Sequence, residues 1–406
     1  NHPCVQIICL IPSEDVKQSF LHNAVPDGIN LIEGNRGLYD GEDAEGTHSS
    51  AELSKLLKVP VIVVLPTVKV TRTAAAIILG LRTLDKDVSL AGVVLNRVAT
   101  ARQESVVRNA IENDAGVPVL GAIRRISGEV LASRHLGLVT PEEHRRSLAS
   151  IDAAGDIVSE SVDHEQMRSI AESAPTIEMP ARKSRKVSPK GRGLRIGVFR
   201  NSAFTFYYPE NLESIEKSGA TWIPIDPIRD KHLPDLDGLY IGGGFPETHA
   251  SSLSDNASFL ASVAQAADRG LPIWAECGGL IFLCRCLHWE ERGYPMAGVF
   301  PVDIALGPKP AGHGYMEVIV DRGNPFLPEG TILRGHEFHY SKTEAAGSID
   351  TIFRVIRGTG TGAGRDGLMY KNTVAGYLHL HALGAPEWVE GMLRAADNYR
   401  NSRLSN

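Results

Sequence analysis

The chain has 406 residues, 43% hydrophobic and 22% charged, with 40 Gly and 23 Pro, a composition that excludes disordered and collagen-like classes and suggests two or three domains. Its 42 Lys and Arg against 48 Asp and Glu leave a net charge of -6 with no long basic stripe, which excludes nucleic acid as a partner. The most apolar runs, 59–65 and 271–287, are too short or are interrupted by Pro66, Glu276 and Arg285, so neither is a membrane span. Five cysteines, Cys4, Cys9, Cys277, Cys284 and Cys286, form no paired CxxC units and fit a reducing cytoplasm.

In the first half, β-branched runs at 29–32, 59–65, 90–95 and 117–120 alternate with helical patterns at 51–57, 71–84 and 101–114. Such alternation predicts a parallel sheet wrapped by helices. Residues 181–193 (ARKSRKVSPKGRG) carry six Lys or Arg with almost nothing apolar to bury, and read as an interdomain linker. Beyond it the alternation resumes, with strands expected at 194–198, 221–225, 238–241 and 272–275 and helices at 211–218 and 257–269. Both halves are therefore expected to be α/β.

The segment from Leu271 to Leu283 reads as a buried strand, then Cys277, then two glycines opening an apolar helix. This is the pattern of a nucleophile elbow, in which a tight turn between small neighbours exposes the reactive side chain above the sheet. The positive end of the helix is expected to favour thiolate at Cys277. Upstream, Gly238-Leu-Tyr-Ile-Gly-Gly-Gly-Phe-Pro-Glu247 runs from a strand into three glycines whose N–H groups suit a developing oxyanion. Downstream, Gly376-Tyr-Leu-His379-Leu-His381 ends an apolar strand with two imidazoles, either of which suits a base for Cys277. Residues two apart on a strand share a face, so the pattern leaves both open.

Strand-Gly-Gly-Gly, a cysteine elbow and a late His resemble the class I, triad-type glutamine amidotransferase domain. The phrases Ala203-Phe-Thr-Phe-Tyr-Tyr-Pro-Glu-Asn-Leu-Glu213, Gly244-Phe-Pro-Glu247 and Gly335-His-Glu-Phe-His-Tyr-Ser341 are similar to those of the cobyrinic acid a,c-diamide synthase family of cobalamin biosynthesis. The resemblance covers essentially residue 3 to about 393. It implies two doubly wound α/β domains: a P-loop-NTPase-like, dethiobiotin-synthetase-like synthetase domain at 1–180, N-terminally incomplete, and an amidotransferase domain at 194–400. Cys277 matches the family's nucleophile and His379 its catalytic His, with Gly243, Gly244 and Gly278 as oxyanion-hole residues. Many amidotransferases place a Glu two residues beyond that His, but here Leu380-His381-Ala382 follows, and no third triad member is assigned. The His336, His339 and Tyr340 block lacks HExxH spacing and is read as structural or substrate-contacting.

The resemblance further implies MgATP, with Glu33 as magnesium ligand, and Glu33, Asp40 and Asn96 as the substrate and nucleotide residues. Glu33 is placed at the end of the strand expected at 29–32, where open parallel sheets present catalytic groups. No GxxxxGK[ST] loop occurs in the 406 residues, and Leu65-Pro66-Thr67 stands where relatives end the strand with Asp. Together with the start at Asn1-His2-Pro3, this leads to the expectation that roughly fifty leading residues precede this sequence, the size of a βαβ opening. Arg357-Gly-Thr-Gly-Thr-Gly-Ala-Gly-Arg365 is not the missing loop, because it leads into a strand expected at 368–375 rather than a helix. The implied substrates are a corrinoid or related tetrapyrrole, L-glutamine and ATP, and a homodimer is compatible with them. Amidation of the a and c acetates of cobyrinic acid is the reading adopted. Action on hydrogenobyrinate or nickel sirohydrochlorin, or an inactive truncated binding module, are its alternatives.

Overall fold

The computed structural model describes residues 11–126, 133–134, 137–138, 147–178, 191–345 and 349–404. The chain divides into two compact units, the first built on Ser13–Arg182 and the second on Lys183–Asn406. That boundary lies inside the basic stretch 181–193, of which only Gly191 to Gly193 fall among the described residues. Cys4 and Cys9 lie outside them.

Unit 1 begins with α1 (Ser13–Asn23) and α2 (Ser50–Leu57), then alternates β1 (Val61–Pro66), α3 (Thr73–Leu84), β2 (Leu90–Val98), α4 (Ala101–Ala110) and β3 (Val119–Arg124). The last turn of α4 widens into a π-type turn, Ile111–Ala115. The three strands form a parallel sheet in the order β1-β2-β3. Ala74 and Ile78 of α3 and Val107 of α4 bury one face of the sheet against Val93 and Leu95. Short strands β4 (Ser133–Arg134) and β5 (Gly137–Leu138) pair with each other, and α5 (Ser147–Ser161) and α6 (His164–Glu172) follow. Val162, Met167 and Ile170 cover the opposite face at Val94 and Leu120. Thr100 and Asp163 cap α4 and α6 through their side-chain oxygens, which explains where those helices start.

The strand expected at 29–32 does not form. Ile29 and Leu31 are 61% and 87% exposed, and no described strand lies on the free side of β1 to pair with them. An extended segment without a ladder partner leaves its amides to water, so an apolar run alone does not make it a strand. Residues 24–49 form a loop instead, held down by the Tyr39 hydroxyl on the Leu81 carbonyl (2.7 Å) and by Ala51 N–H on Leu38 O (2.9 Å).

Unit 2 opens with β6 (Arg195–Phe199), α7 (Pro209–Lys217), β7 (Thr221–Ile225) and β8 (Gly238–Ile241), then α8 (Ala250–Asp255), α9 (Ala257–Asp268), β9 (Ile273–Glu276) and α10 (Gly278–Leu283). Strands β10 (Cys286–Trp289), β11 (Arg292–Pro295), β12 (Val302–Leu306), β13 (Gly312–Val320), β14 (Ile332–His339), β15 (Ser341–Ala345), β16 (Thr351–Arg357), β17 (Arg365–Tyr370) and β18 (Thr373–Gly376) lead to the C-terminal α11 (Pro386–Leu404). Nine strands make one sheet in the order β14-β13-β16-β17-β18-β9-β8-β6-β7. Its β18-β9-β8-β6-β7 part is parallel and the remainder antiparallel. A second sheet, β11-β10-β12-β15, stands beside it. Residues 368–375 are not one strand: Lys371, at φ 51°, and Asn372 form a two-residue turn between β17 and β18. The Gly-rich stretch 358–364 joins the antiparallel β16 and β17, and its Thr359 and Gly360 N–H groups donate to the buried Glu337 carboxylate.

Helices α9 and α10 cover one face of the parallel strands through Phe259, Val263, Leu280 and Phe282, and α7 and α11 the other through Ile215, Trp388 and Met392. That arrangement puts the carboxyl ends of β8, β9 and β18 side by side. Open α/β sheets place their chemistry there. No described helix is long and apolar enough to cross a membrane.

Candidate active site

The four residues of β9 are buried, and the chain then turns through Cys277 at φ 47° and ψ -94°, in the region L-residues avoid, before α10 starts at Gly278. The turn is held by Cys277 N–H on Gly376 O of the neighbouring β18 (2.7 Å). A Cβ on Gly278 would sit 3.0 Å from the Gly244 nitrogen, so the helix start and the triple-glycine turn touch. Gly244 has φ 155°, and a Cβ there would fall 2.2 Å from the Ala203 carbonyl oxygen. Only glycine fits that backbone. Gly243 N–H is already donated to Phe206 O (3.2 Å), whereas the Gly244 N–H meets no acceptor among the described residues. Gly244 and the first N–H of α10, at Gly278, thus stand as the available donors beside the cysteine.

His379 joins the same place. A Cβ on Gly243 would lie 2.6 Å from its Cε1 and 3.5 Å from its Nε2. Its backbone exchanges hydrogen bonds with His336, and the two imidazoles stack at 4.7 Å and 11°. Phe206 packs edge to face beside both rings, 4.9 Å from His379 and 5.6 Å from His336. On the far edge of the His379 ring, Nδ1 is 3.4 Å from Oε2 of Glu276, the residue preceding the cysteine. His381 is occupied elsewhere. Its Nδ1 accepts the Leu383 N–H (3.2 Å), its Nε2 lies 3.5 Å from Glu210, and its carbonyl accepts from Gly384 and Ala385. The chain beyond Gly376 is no longer a regular strand, so the two-residue alternation that left both histidines open does not operate.

Burial dominates the electrostatics. It pushes the Cys277 thiol up to about 12, with the Glu247 carboxylate adding to the rise and the Gly278 N–H opposing it. The expected thiolate is therefore not the resting form, because the short helix does not offset desolvation. The thiol Sγ lies 3.9 Å from the Phe338 carbonyl oxygen. Burial also drives His379 down to about 3 and Glu276 up to about 8, so a neutral imidazole faces a carboxyl group that resists ionisation. His339 serves the architecture: Nδ1 on Ser341 O (2.8 Å), Nε2 on Glu337 (3.3 Å) and the ring stacked on Tyr377 at 3.6 Å. His336 Nδ1 meets the Tyr208 hydroxyl at 2.9 Å.

In unit 1, Glu33 and Asp40 are exposed on the loop 24–49, and Asn96 is half-buried at the end of β2. Asp40 Oδ2 accepts the Gly37 N–H (3.0 Å), and Asn96 Oδ1 accepts the Arg97 N–H (2.8 Å). No described contact joins the three. Among the described residues no group of three His, Cys, Asp or Glu is placed to hold a metal ion. Glu33 accepts no hydrogen bond from a described residue.

Two family models match the chain, an AAA domain over residues 16–128 and a CobB/CobQ-like glutamine amidotransferase domain over residues 195–387. A cobyrinate a,c-diamide synthase of Magnetococcus marinus is 37% identical over 384 residues, 93% of this chain and 82% of that protein. The chain belongs to the cobyrinate a,c-diamide synthase family. A second member, from Archaeoglobus fulgidus, is 38% identical over 369 residues, 91% of this chain and 80% of its own. Among solved structures, a glutamine amidotransferase of Thermotoga maritima matches with TM-score 0.33 and 14% identity, over 52% of this chain and 86% of that one. The enzyme is an ATP-dependent ligase of cobalamin biosynthesis that takes nitrogen from glutamine, with a P-loop-like synthetase unit followed by a class I amidotransferase unit.

Sequence gives no role to the residues around the imidazoles other than His336, which it reads as structural or substrate-contacting. Glu276, Tyr208, Glu210, Asn211 and His336 are joined by the contacts above and by Asn211 Nδ2 on Leu380 O (2.8 Å) and on the Tyr240 hydroxyl (3.1 Å). A signal existed for Glu276, since a carboxylate inside a buried strand needs partners.

Proposed function

We propose that the enzyme amidates the a and c acetate carboxylates of cobyrinic acid, with Cys277 as nucleophile and His379 as its base. A carboxylate resists attack by ammonia because its charge repels the nucleophile and oxide is a poor leaving group. Transfer of the γ-phosphoryl group of ATP converts it to an acyl phosphate and releases ADP; ammonia then adds to the carbonyl and expels phosphate. Magnesium, when bound, neutralises phosphate charge, and Glu33 is the residue that would hold it. Asp40 and Asn96 are assigned to the same substrate and nucleotide region.

At the second site, glutamine supplies the ammonia. As the substrate amide reaches Cys277, Nε2 of His379 takes the Sγ proton while sulfur attacks the amide carbon. Gly244 and Gly278 N–H groups face the oxygen that becomes negative. Collapse returns the proton to the leaving nitrogen as ammonia departs, leaving a glutamyl thioester that water hydrolyses to glutamate. The resting thiol is a poor nucleophile, so burial restrains hydrolysis until glutamine occupies the site.

The observation that carries this reading is the positive-φ Cys277 turn, whose next residue, Gly278, packs against Gly243 and Gly244, with the His379 ring lying against Gly243. Its test has two parts. Glutamate release from glutamine should occur with the wild-type protein and fall at least about 10⁴-fold in Cys277→Ala. Incubation with MgATP, glutamine and cobyrinic, hydrogenobyrinic or nickel sirohydrochlorin substrates, with amides counted by mass, should give two amides on cobyrinic acid fastest. Glutamate release unchanged by Cys277→Ala would sink the assignment, and faster turnover of another tetrapyrrole would replace the substrate.

A further inference from the structure

We propose that Glu276 is the positioning residue that completes the cysteine–histidine pair, holding His379 with Nδ1 protonated and Nε2 free to take the Sγ proton. The inference rests on the assignment of Cys277 and His379 made above. An imidazole base works only in one tautomer, and that tautomer is selected by what its other nitrogen meets. Here the two edges of the ring are differentiated: Nδ1 is buried, makes no hydrogen bond to a described residue and faces Glu276 Oε2 at 3.4 Å, a short closure from a hydrogen bond, and the Cε1–Nε2 edge lies against Gly243. No carboxylate occupies the place two residues after the histidine, where His381 stands.

The Glu276 carboxylate is fixed from three sides. Oε1 accepts Trp274 Nε1–H (3.1 Å) and Leu380 N–H (3.4 Å), and Oε2 accepts the Tyr240 hydroxyl (3.2 Å). Tyr240 is held in turn by Asn211, whose Oδ1 takes the Ala382 N–H at 2.7 Å. The network clasps the main chain on both sides of His381 and reaches His379 through Glu276. Because Glu276 precedes Cys277 directly, one strand end sets the position of both the nucleophile and the orienter of its base. Glu276, at 2% exposure, is as inaccessible as the hydrophobic residues around it, and such a group is costly unless it has a task or partners.

The charge on Glu276 decides the tautomer. Protonated, it donates to Nδ1 and leaves the proton of His379 on Nε2, the wrong nitrogen; ionised, it accepts from Nδ1 and frees Nε2. The titratable groups that face it are Tyr240 on β8, Tyr207 and Tyr208 before α7, His379 and Cys277. Burial raises all three tyrosines, so none of them charges in the working range, and glutaminase activity should rise with pH as Glu276 loses its proton near 8.

The test uses the full chain and glutamate release. Glu276→Gln keeps an oxygen for Trp274 and Leu380 but presents an N–H₂ to Nδ1, forcing the unproductive tautomer. Its kcat should fall about 10²- to 10⁴-fold with KM for glutamine within about threefold, and the rise near pH 8 should vanish. Glu276→Asp should recover part of the rate and the pH dependence. A Glu276→Gln enzyme within threefold of wild type, or one that loses kcat and KM together, overturns the inference. Persistence of activity in Cys277→Ala instead overturns the underlying site assignment. Should the Gln variant not fold, ¹⁵N spectra of histidine-labelled wild-type protein decide, with the His379 resonance identified by its loss in His379→Asn. Protonated Nδ1 above pH 8 is expected, and protonated Nε2 there refutes the role.

Discussion

The two units surround the carboxylates to which we assign roles in opposite ways. Glu276 ends a strand inside unit 2, is almost inaccessible, and is held by Trp274, Tyr240 and the Leu380 amide. Glu33 lies on an exposed loop of unit 1 and accepts no hydrogen bond from a described residue. Under the proposed assignment the difference matches the species each site would handle. A thioester site needs a dry, prearranged pocket because its charges appear only as the reaction proceeds. A site for phosphate and metal brings its own charges, so a solvated carboxylate suffices until they arrive.

The comparison breaks most readily at the two histidines, which share burial but not surroundings. His379→Asn should reduce glutamate release about 10²- to 10⁴-fold, the usual worth of a general base, with little change in KM. His381→Asn removes the contact to Glu210 and disturbs the turn at Leu383, so it should destabilise the fold by about 1–3 kcal/mol while kcat stays within about threefold. Urea melts and steady-state glutaminase kinetics of the two variants separate these effects. A larger kcat loss in His381→Asn would mean that burial alone, and not the Glu276 and Gly243 neighbours, marks the base.

Part of this was legible beforehand for definite reasons. The elbow at Cys277 showed because a buried strand, a cysteine and two glycines leave few other ways to fold, and β8 with its three glycines showed for the same reason. The histidines stayed ambiguous because alternation assumes a strand, and the strand ends at Gly376. Sequence points to a thiolate at Cys277 because the helix that follows is visible there while the depth of burial, which raises the thiol, is not. The run 29–32 reads as a strand and forms a loop because local apolarity does not reveal whether a pairing partner lies alongside. In sequence Glu276 shows only as an interruption in an apolar run, because apart from Trp274 its partners come from β8 and the segment after β18, far apart along the chain.

A smaller effect sharpens the contrast from the side of unit 1. Glu33→Gln removes a charge from an exposed position that no described residue stabilises, so the melting temperature and the glutaminase rate should both remain unchanged. If Glu33 shares the cation of the nucleotide, amide formation from MgATP should drop about tenfold or more, and excess magnesium should restore part of it. Equal loss of glutaminase and amidation would show that Glu33 does not act through phosphate.

The smallest effect concerns a carboxylate in unit 2 that stays near solvent. Arg285 grips Asp303 through two hydrogen bonds of 2.8 and 2.9 Å, and His288 approaches the same group at 3.3 Å. The guanidinium holds Asp303 at about 2, below its ordinary value, so the folded state favours the ionised form. That contribution is present above the unfolded-state value near 3.8 and is lost as pH falls toward 2. Since Arg285 is more than half exposed, screening keeps the contribution under about 1 kcal/mol. Asp303→Asn should therefore lower stability by less than that at pH 7 and by nothing measurable near pH 2, with glutaminase kcat unaltered. Denaturant melts at the two pH values check it: a loss of several kcal/mol would place Asp303 with the buried network around Glu276 rather than with the solvated charges of unit 1.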